Sequence, residues 1–180
     1  SESKLNIVQK IPHEGEVNRA RYMPGNQNII ATRTTQGDVL IFDRTKHESI
    51  PQLDAVCNPE IRLVGHDQEG YGTSWNQNKQ GFLLTGGADQ KILEWDINSY
   101  SKQKSTLEPI NQYLGHTDYV EDVEYSPLIE TLFGSVGDDQ KLMIWDTRVN
   151  KNAPIFNIHA HQAEINCLSW NPKQSNLILT

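Results

Sequence analysis

The sequence predicts an all-β protein made of repeated four-stranded units, and three observations predict it. Three segments align without a gap, each running from a His to an Asp thirty residues on: His13 to Asp43, His66 to Asp96 and His116 to Asp146. Nine residues after each His stands an aromatic (Tyr22, Trp75, Tyr125), nineteen after it a hydroxyl (Thr32, Thr85, Ser135), and twenty-nine after it Phe42, Trp95 or Trp145. Between these marks lie short apolar runs separated by Gly, Asn, Pro and Asp, and no helical period competes with them.

Residues 1–12 carry the run "IVQKI", expected as the outer strand of a preceding unit. Residues 13–64 form a repeat with the runs "IIAT", "VLIF" and "IRLV"; residues 65–114 form the next, with "FLLT", "KILEW" and "INQYL". Residues 115–159 form the third, with "KLMIW" and "IFNI", and residues 160–180 an incomplete fourth, in which Trp170 and Thr180 hold the aromatic and hydroxyl places counted from His161. The His-to-His distances are 53, 50 and 45 residues. Four short strands per unit at this period, with Gly-His and Trp-Asp marks, are the signature of a WD-repeat β-propeller.

In blades of this kind the His, the strand hydroxyl, the turn Asp and the Trp form a buried hydrogen-bond chain, in which each polar group satisfies the next. The sets His66, Thr85, Asp89, Trp95 and His116, Ser135, Asp139, Trp145 are complete. The first repeat departs from them: Gln36 replaces the Asp, Phe42 the Trp, and Pro12 the Gly before His13, so a looser blade is expected there. Asp138, directly before Asp139, has no part in such a chain. It is free to face a partner.

The chain of 180 residues carries 23 acidic and 16 basic side chains, a formal charge of −7. That balance disfavours duplex nucleic acid, which needs clustered Lys and Arg. Cys57, expected in a loop, and Cys167, expected in an apolar strand, are isolated, with neither a disulfide framework nor zinc spacing, and are expected reduced. No stretch approaches the ~20 apolar residues of a membrane span, and "SESKLNIVQK" lacks a signal-peptide core. The pair His159 and His161 looks like a metal-ligand spacing, but His161 is already used by the repeat. No metal site, cofactor or catalytic residue is expected.

The stretches "HEGEVNRARYMP", "EGYGTSWN", "VEDVEY", "LFGSVGDDQKLMIWDTR" and "AHQAEINCLSWNP" resemble the histone-binding WD-repeat family: retinoblastoma-binding histone chaperones, the small subunit of chromatin assembly factor, and WD-repeat subunits of acetyltransferase, deacetylase and Polycomb complexes. The resemblance runs along nearly the whole chain. It implies a seven-bladed ring behind an N-terminal helix, of which this chain would be the middle, about three and a half blades. The family's second site, which grips a histone helix with its N-terminal helix and a late loop, has no counterpart in these residues.

In WD-repeat propellers the residues three and five after the His, and the one before the turn Asp, point onto one face around the central channel. Here these are Glu16, Glu69, Tyr119 and Glu164; Asn18, Tyr71, Glu121 and Asn166; and Thr35, Ala88 and Asp138. Five of the eleven are acidic, more than three times the chain-wide share of 23 in 180, and none is basic. A carboxylate ring around a concave mouth focuses negative potential and attracts Arg and Lys. The resemblance implies binding of a histone tail on this face through Glu16, Asn18, Glu69, Tyr71, Glu121, Asp138, Glu164 and Asn166, with Glu121 beside Asp138 expected as the main cation site.

The expected function is therefore that of a non-catalytic, nuclear adaptor that presents basic histone tails to chromatin-assembly or chromatin-modifying complexes. Two other readings compete with it. A generic WD-repeat scaffold, such as a ubiquitin-ligase receptor for phosphopeptides, would need Arg on the same face, and the eleven positions hold none. A propeller glycosidase would need one carboxyl kept protonated in an apolar pocket, for which a mutually repelling exposed ring is a poor place.

Overall fold

A computed structural model of the protein describes residues 5–101, 103–149 and 151–180. The first blade is built from β1 (Val17–Met23), β2 (Asn26–Thr34), β3 (Val39–Asp43) and β4 (Ile61–Leu63) in that order. The second comprises β5 (Thr73–Trp75), β6 (Phe82–Gly86), β7 (Lys91–Asp96) and β9 (Asn111–Leu114). The third comprises β10 (Val120–Tyr125), β11 (Leu132–Gly137), β12 (Lys141–Asp146) and β13 (Phe156–His159). The pairings within each blade are antiparallel between sequence neighbours, as short turns require. The chain is thus an all-β partial propeller.

The core lies between the blades. Along β6 and β7 alternate side chains enter different clusters: Leu83 and Leu93 pack with Trp75, Trp95 and the first blade, while Leu84 and Ile92 pack with Val123, Phe133 and Trp145 of the third. A sheet buried on both faces reads as a continuous apolar run, which is why "FLLT" and "KILEW" show no polar alternation. The seams are also tied by polar groups. Trp75 Nε1 donates to Arg21 O at 3.1 Å, the amide of Tyr125 to Ser74 Oγ at 3.0 Å, and Trp170 Nε1 to Glu124 O at 3.1 Å.

The glycine before the repeat His has a packing reason. A Cβ on Gly115 would come within 2.8 Å of Trp145 Cη2, and one on Gly65 within 3.1 Å of Trp95 Cη2. The first repeat has the smaller Phe42 in the Trp place, and there Pro12 is accommodated. The Asp that ends each unit caps the turn after it: Asp43, Asp96 and Asp146 accept from the amides of Thr45, Asn98 and Arg148 at 3.1, 2.9 and 3.0 Å.

Four features bear on the sequence expectation: three differ from it, and the fourth repeat is incomplete as expected. Residues 7–11, expected as an outer strand, form none, and the Lys10 amide donates to Ser49 O at 3.0 Å. Of residues 1–12, the first four lie outside the described residues. The first blade gains a fifth strand, β8 (Thr106–Leu107), which arrives from the second repeat and pairs in parallel with β4. It covers an edge that would otherwise expose unpaired backbone. The fourth repeat supplies only β14 (Ser169–Trp170) and β15 (Ile178–Leu179). Cys167, expected in a strand, precedes β14 and is exposed.

Candidate functional site

The hydrogen-bond chains run through the second and third blades with similar geometry. His116 Nδ1 lies 2.9 Å from Asp139 Oδ1, His116 Nε2 lies 2.7 Å from Ser135 Oγ, and Trp145 Nε1 donates to that hydroxyl at 2.9 Å. In the second blade the distances are 3.0 Å from His66 to Asp89, 2.8 Å from His66 to Thr85 and 2.9 Å from Trp95 to Thr85. A neutral imidazole satisfies every step: Nδ1–H donates to the carboxylate, and Nε2 accepts from a hydroxyl that itself accepts from the indole. Burial by itself would push the Asp89 carboxyl up, but the His66 hydrogen bond and charge and the amides of Asp67 and Lys91 hold it down at about 2. The Asp139 carboxyl is also lowered, against burial, by His116 and the amides of Thr117 and Lys141.

In the first blade, His13 Nε2 meets Thr32 Oγ1 at 2.9 Å, but its Nδ1 is 3.0 Å from Glu14 O and no carboxylate closes the chain. A half-buried triad ties the blade instead: Arg62 of β4 donates to Glu14 Oε2 at 2.8 Å and to Asp38. The sequence reading missed it. The partners are 24 and 48 residues from Arg62, and no repeat register relates them.

The face described by the other positions is organised by β-bulges. Between the pairs Val17/Thr34 and Arg19/Arg33, Asn18 is an extra residue; between Val120/Gly137 and Asp122/Val136, Glu121 is. A bulge re-aims a side chain at the rim of a sheet. In both blades it falls on the residue five after the His, at the top of the innermost strand. Glu69, Tyr71, Ala88, Tyr119 and Glu121 then line one cleft of about 130 Å³, with Gly70 and Val120 completing it. Tyr71 and Tyr119 remain 44% and 46% exposed, so their rings stand as walls open to solvent. Small Ala88 occupies the place that Asp138 takes in the next blade.

The carboxylates of the face are unequally compensated. Asn18 Nδ2 donates to Glu69 Oε2 at 3.0 Å. Glu121 has no such donor among the described residues; burial and the charges of Asp138 and Asp122 push its carboxyl up. Burial, then Asp118, Glu164 and Asp139, push the Asp138 carboxyl up in turn. The structure therefore places Asp138 within electrostatic reach of both Glu121 and Glu164. Glu16, Thr35 and Asn166 are exposed and stand outside the cleft.

Other functional groups were hidden in the sequence. Asp122 and Glu124 read as the polar face of "VEDVEY"; in the structure they accept from the amides of Leu168 and Trp170 at 3.2 and 2.8 Å, linking the third blade to the fourth. Glu94 is buried and accepts from Asn111 Nδ2, Tyr113 OH and Tyr125 OH at 2.7, 2.8 and 2.8 Å. Burial and the Glu94 charge push both phenols up, so each stays a hydrogen-bond donor. Among the described residues no His, Cys, Asp and Glu cluster could hold a metal, and no helix is long and apolar enough to cross a membrane.

Comparison with known proteins agrees on the architecture. The WD40 family, "WD domain, G-beta repeat", matches residues 107–146, from the end of β8 through the last strand of the second blade to the Trp-Asp of the third repeat. Among solved structures, a chain of the crystal structure of the mitotic checkpoint complex is similar, with 21% identity, a TM-score of 0.70 and 88% of this chain covered. The chain spans 43% of that chain's length. Matches extend to 970 chains of solved structures, so the fold alone selects no partner.

Proposed function

We propose that the chain is a non-catalytic adaptor whose acidic face holds an extended basic tail of the histone type. In this reading it serves a nuclear chromatin-assembly or chromatin-modifying complex. The observation that carries the proposal is the cleft of Glu69, Tyr71, Ala88, Tyr119 and Glu121, with Asp138 beside it. Its two aromatic walls suit an aliphatic stem or a guanidinium plane. Burial and the charges of Asp138 and Asp122 disfavour the Glu121 carboxylate, and a cation would relieve them. A guanidinium fits best, because it bonds a carboxylate through two parallel N–H groups and is weakly hydrated. Asn18 and Asn166 add amides for a peptide backbone.

The test presents the protein with unmodified histone-tail peptides, the same peptides acetylated on lysine, and a phosphopeptide library. Binding to the unmodified basic peptides, weakened by acetylation, is expected. A preference for phosphopeptides would favour the scaffold reading of a ubiquitin-ligase type and would contradict this one.

A further inference from the structure

We propose that Arg33 is the positioning residue of the acidic face: from inside the seam between the first two blades it fixes the loops that carry Glu69 and Tyr71. This rests on the peptide-binding reading above. Arg33 lies in β2 and has no exposed surface. Its Nη1 donates to Gly37 O at 2.7 Å and its Nη2 to Gly86 O at 3.1 Å. Gly37 belongs to the β2–β3 turn of the first blade and Gly86 ends β6 of the second, so one guanidinium spans two sheets. A Cβ on Gly70 would fall 2.4 Å from Arg33 Nη2 and 2.3 Å from Gly86 O. Gly70 therefore lies directly against the guanidinium, and Asn18 Nδ2 holds the same segment through Glu69 Oε2 and Gly70 O at 3.0 and 3.4 Å.

Filling space does not account for an arginine here. Burial strips the guanidinium of water and lowers its pKa to about 10, and Nε has no partner among the described residues. An unbranched apolar side chain would fill the seam without those costs. What it could not do is hold two carbonyls of different blades at a fixed separation. Twenty residues after the His, the other repeats carry Gly86 and Val136, so the arginine is no part of the repeat's own pattern.

The charge of Arg33 supplies a sign test. Asp89, Asp38 and Glu69 are the carboxylates it acts on. Removing the cation would by itself make the face more negative and tighten a basic peptide. Losing the position of residues 69–71 would loosen it.

In the intact protein, Arg33→Met is expected to weaken an unmodified basic tail peptide about five- to tenfold, the effect of losing charge-assisted hydrogen bonds that hold the site. Arg33→Lys should fall between that variant and the wild type. The loss should be coupled: Glu69→Gln should cost less in the Arg33→Met background than in the wild type, whereas Glu164→Gln should cost the same in both. Amide exchange should quicken at residues 69–71 and 86–88 and not at 132–135 in β11. Unchanged or tighter binding, losses additive with Glu69→Gln, or unchanged exchange at those loops would each overturn the role of Arg33 while leaving the acidic face as a peptide site. A wild-type protein that bound no basic peptide would instead overturn the reading of the face, and the role of Arg33 in it.

Discussion

Asp139 meets Nδ1 of His116 at 2.9 Å and its side chain is only 3% exposed, while Asp138, one residue before it, turns to the acidic face and feels Asp118 and Glu164. The two carboxylates stand in one turn with separate tasks. One closes a buried chain of donors and acceptors; the other has no counter-ion among the described residues.

That division predicts unequal effects on stability. Asp139→Ala leaves His116 Nδ1 and the Thr117 amide without their acceptor, at a cost of about 1–3 kcal/mol. Asp138→Ala should cost about 0.5 kcal/mol or less, as exposed sites do. Thermal melts of the two variants check this, and an equal fall in Tm would contradict it.

Acid should separate binding from folding. Asp89 and Asp139 titrate lower in the folded protein than in the unfolded chain. Their stabilisation is fully present above the unfolded value of about 3.9 and is lost as the pH falls through the folded values. Glu121 and Asp138 titrate higher than usual, so their charges are lost first, and protonating them relieves repulsion in the folded state. Lowering the pH is therefore expected to weaken a basic peptide before the contribution of Asp89 and Asp139 to Tm is lost; His66, which burial holds below its ordinary value, adds a separate decline in Tm that begins below about 6.5. Peptide titrations and melts along one pH series test the order of the two losses.

The fit between the repeat glycine and the repeat tryptophan predicts a coupled pair. Gly115→Ala drives a Cβ against Trp145 Cη2 and should cost about 1–3 kcal/mol by overpacking. In a Trp145→Phe background the same change should cost less, because Phe42 in the first repeat already tolerates Pro12. A double-mutant cycle by denaturant unfolding measures the coupling, and strict additivity would refute the packing explanation.

Much of the architecture was legible because it repeats. The His, hydroxyl, Asp and Trp registers recur at fixed spacing, and they recur because each blade must satisfy the same buried groups. The cleft residues Glu69, Tyr71, Ala88, Tyr119 and Glu121 hold repeat registers for the same reason. What could not be read was whatever occurs once. Arg33, Glu94 and the Glu14–Arg62–Asp38 triad have no counterpart in other repeats, and their partners lie in neighbouring sheets or distant loops. The bulges at Asn18 and Glu121 were invisible too, since a bulge adds a residue to one strand relative to its partner, and only the pairing reveals it. The fifth strand of the first blade was missed because Thr106 and Leu107 are too short a run to signal a strand by themselves.

The most direct measurement compares the wild type with Glu121→Gln, titrating a basic tail peptide at low and at moderate salt. Gln keeps the shape of the side chain and removes one charge. The expected loss is about 1.5–3 kcal/mol, the range for a hydrogen bond to a charged group, and wild-type affinity should fall as salt screens the partly exposed acids. Equal affinities in the two proteins, insensitive to salt, would show the acidic face to be a solvated surface and no more.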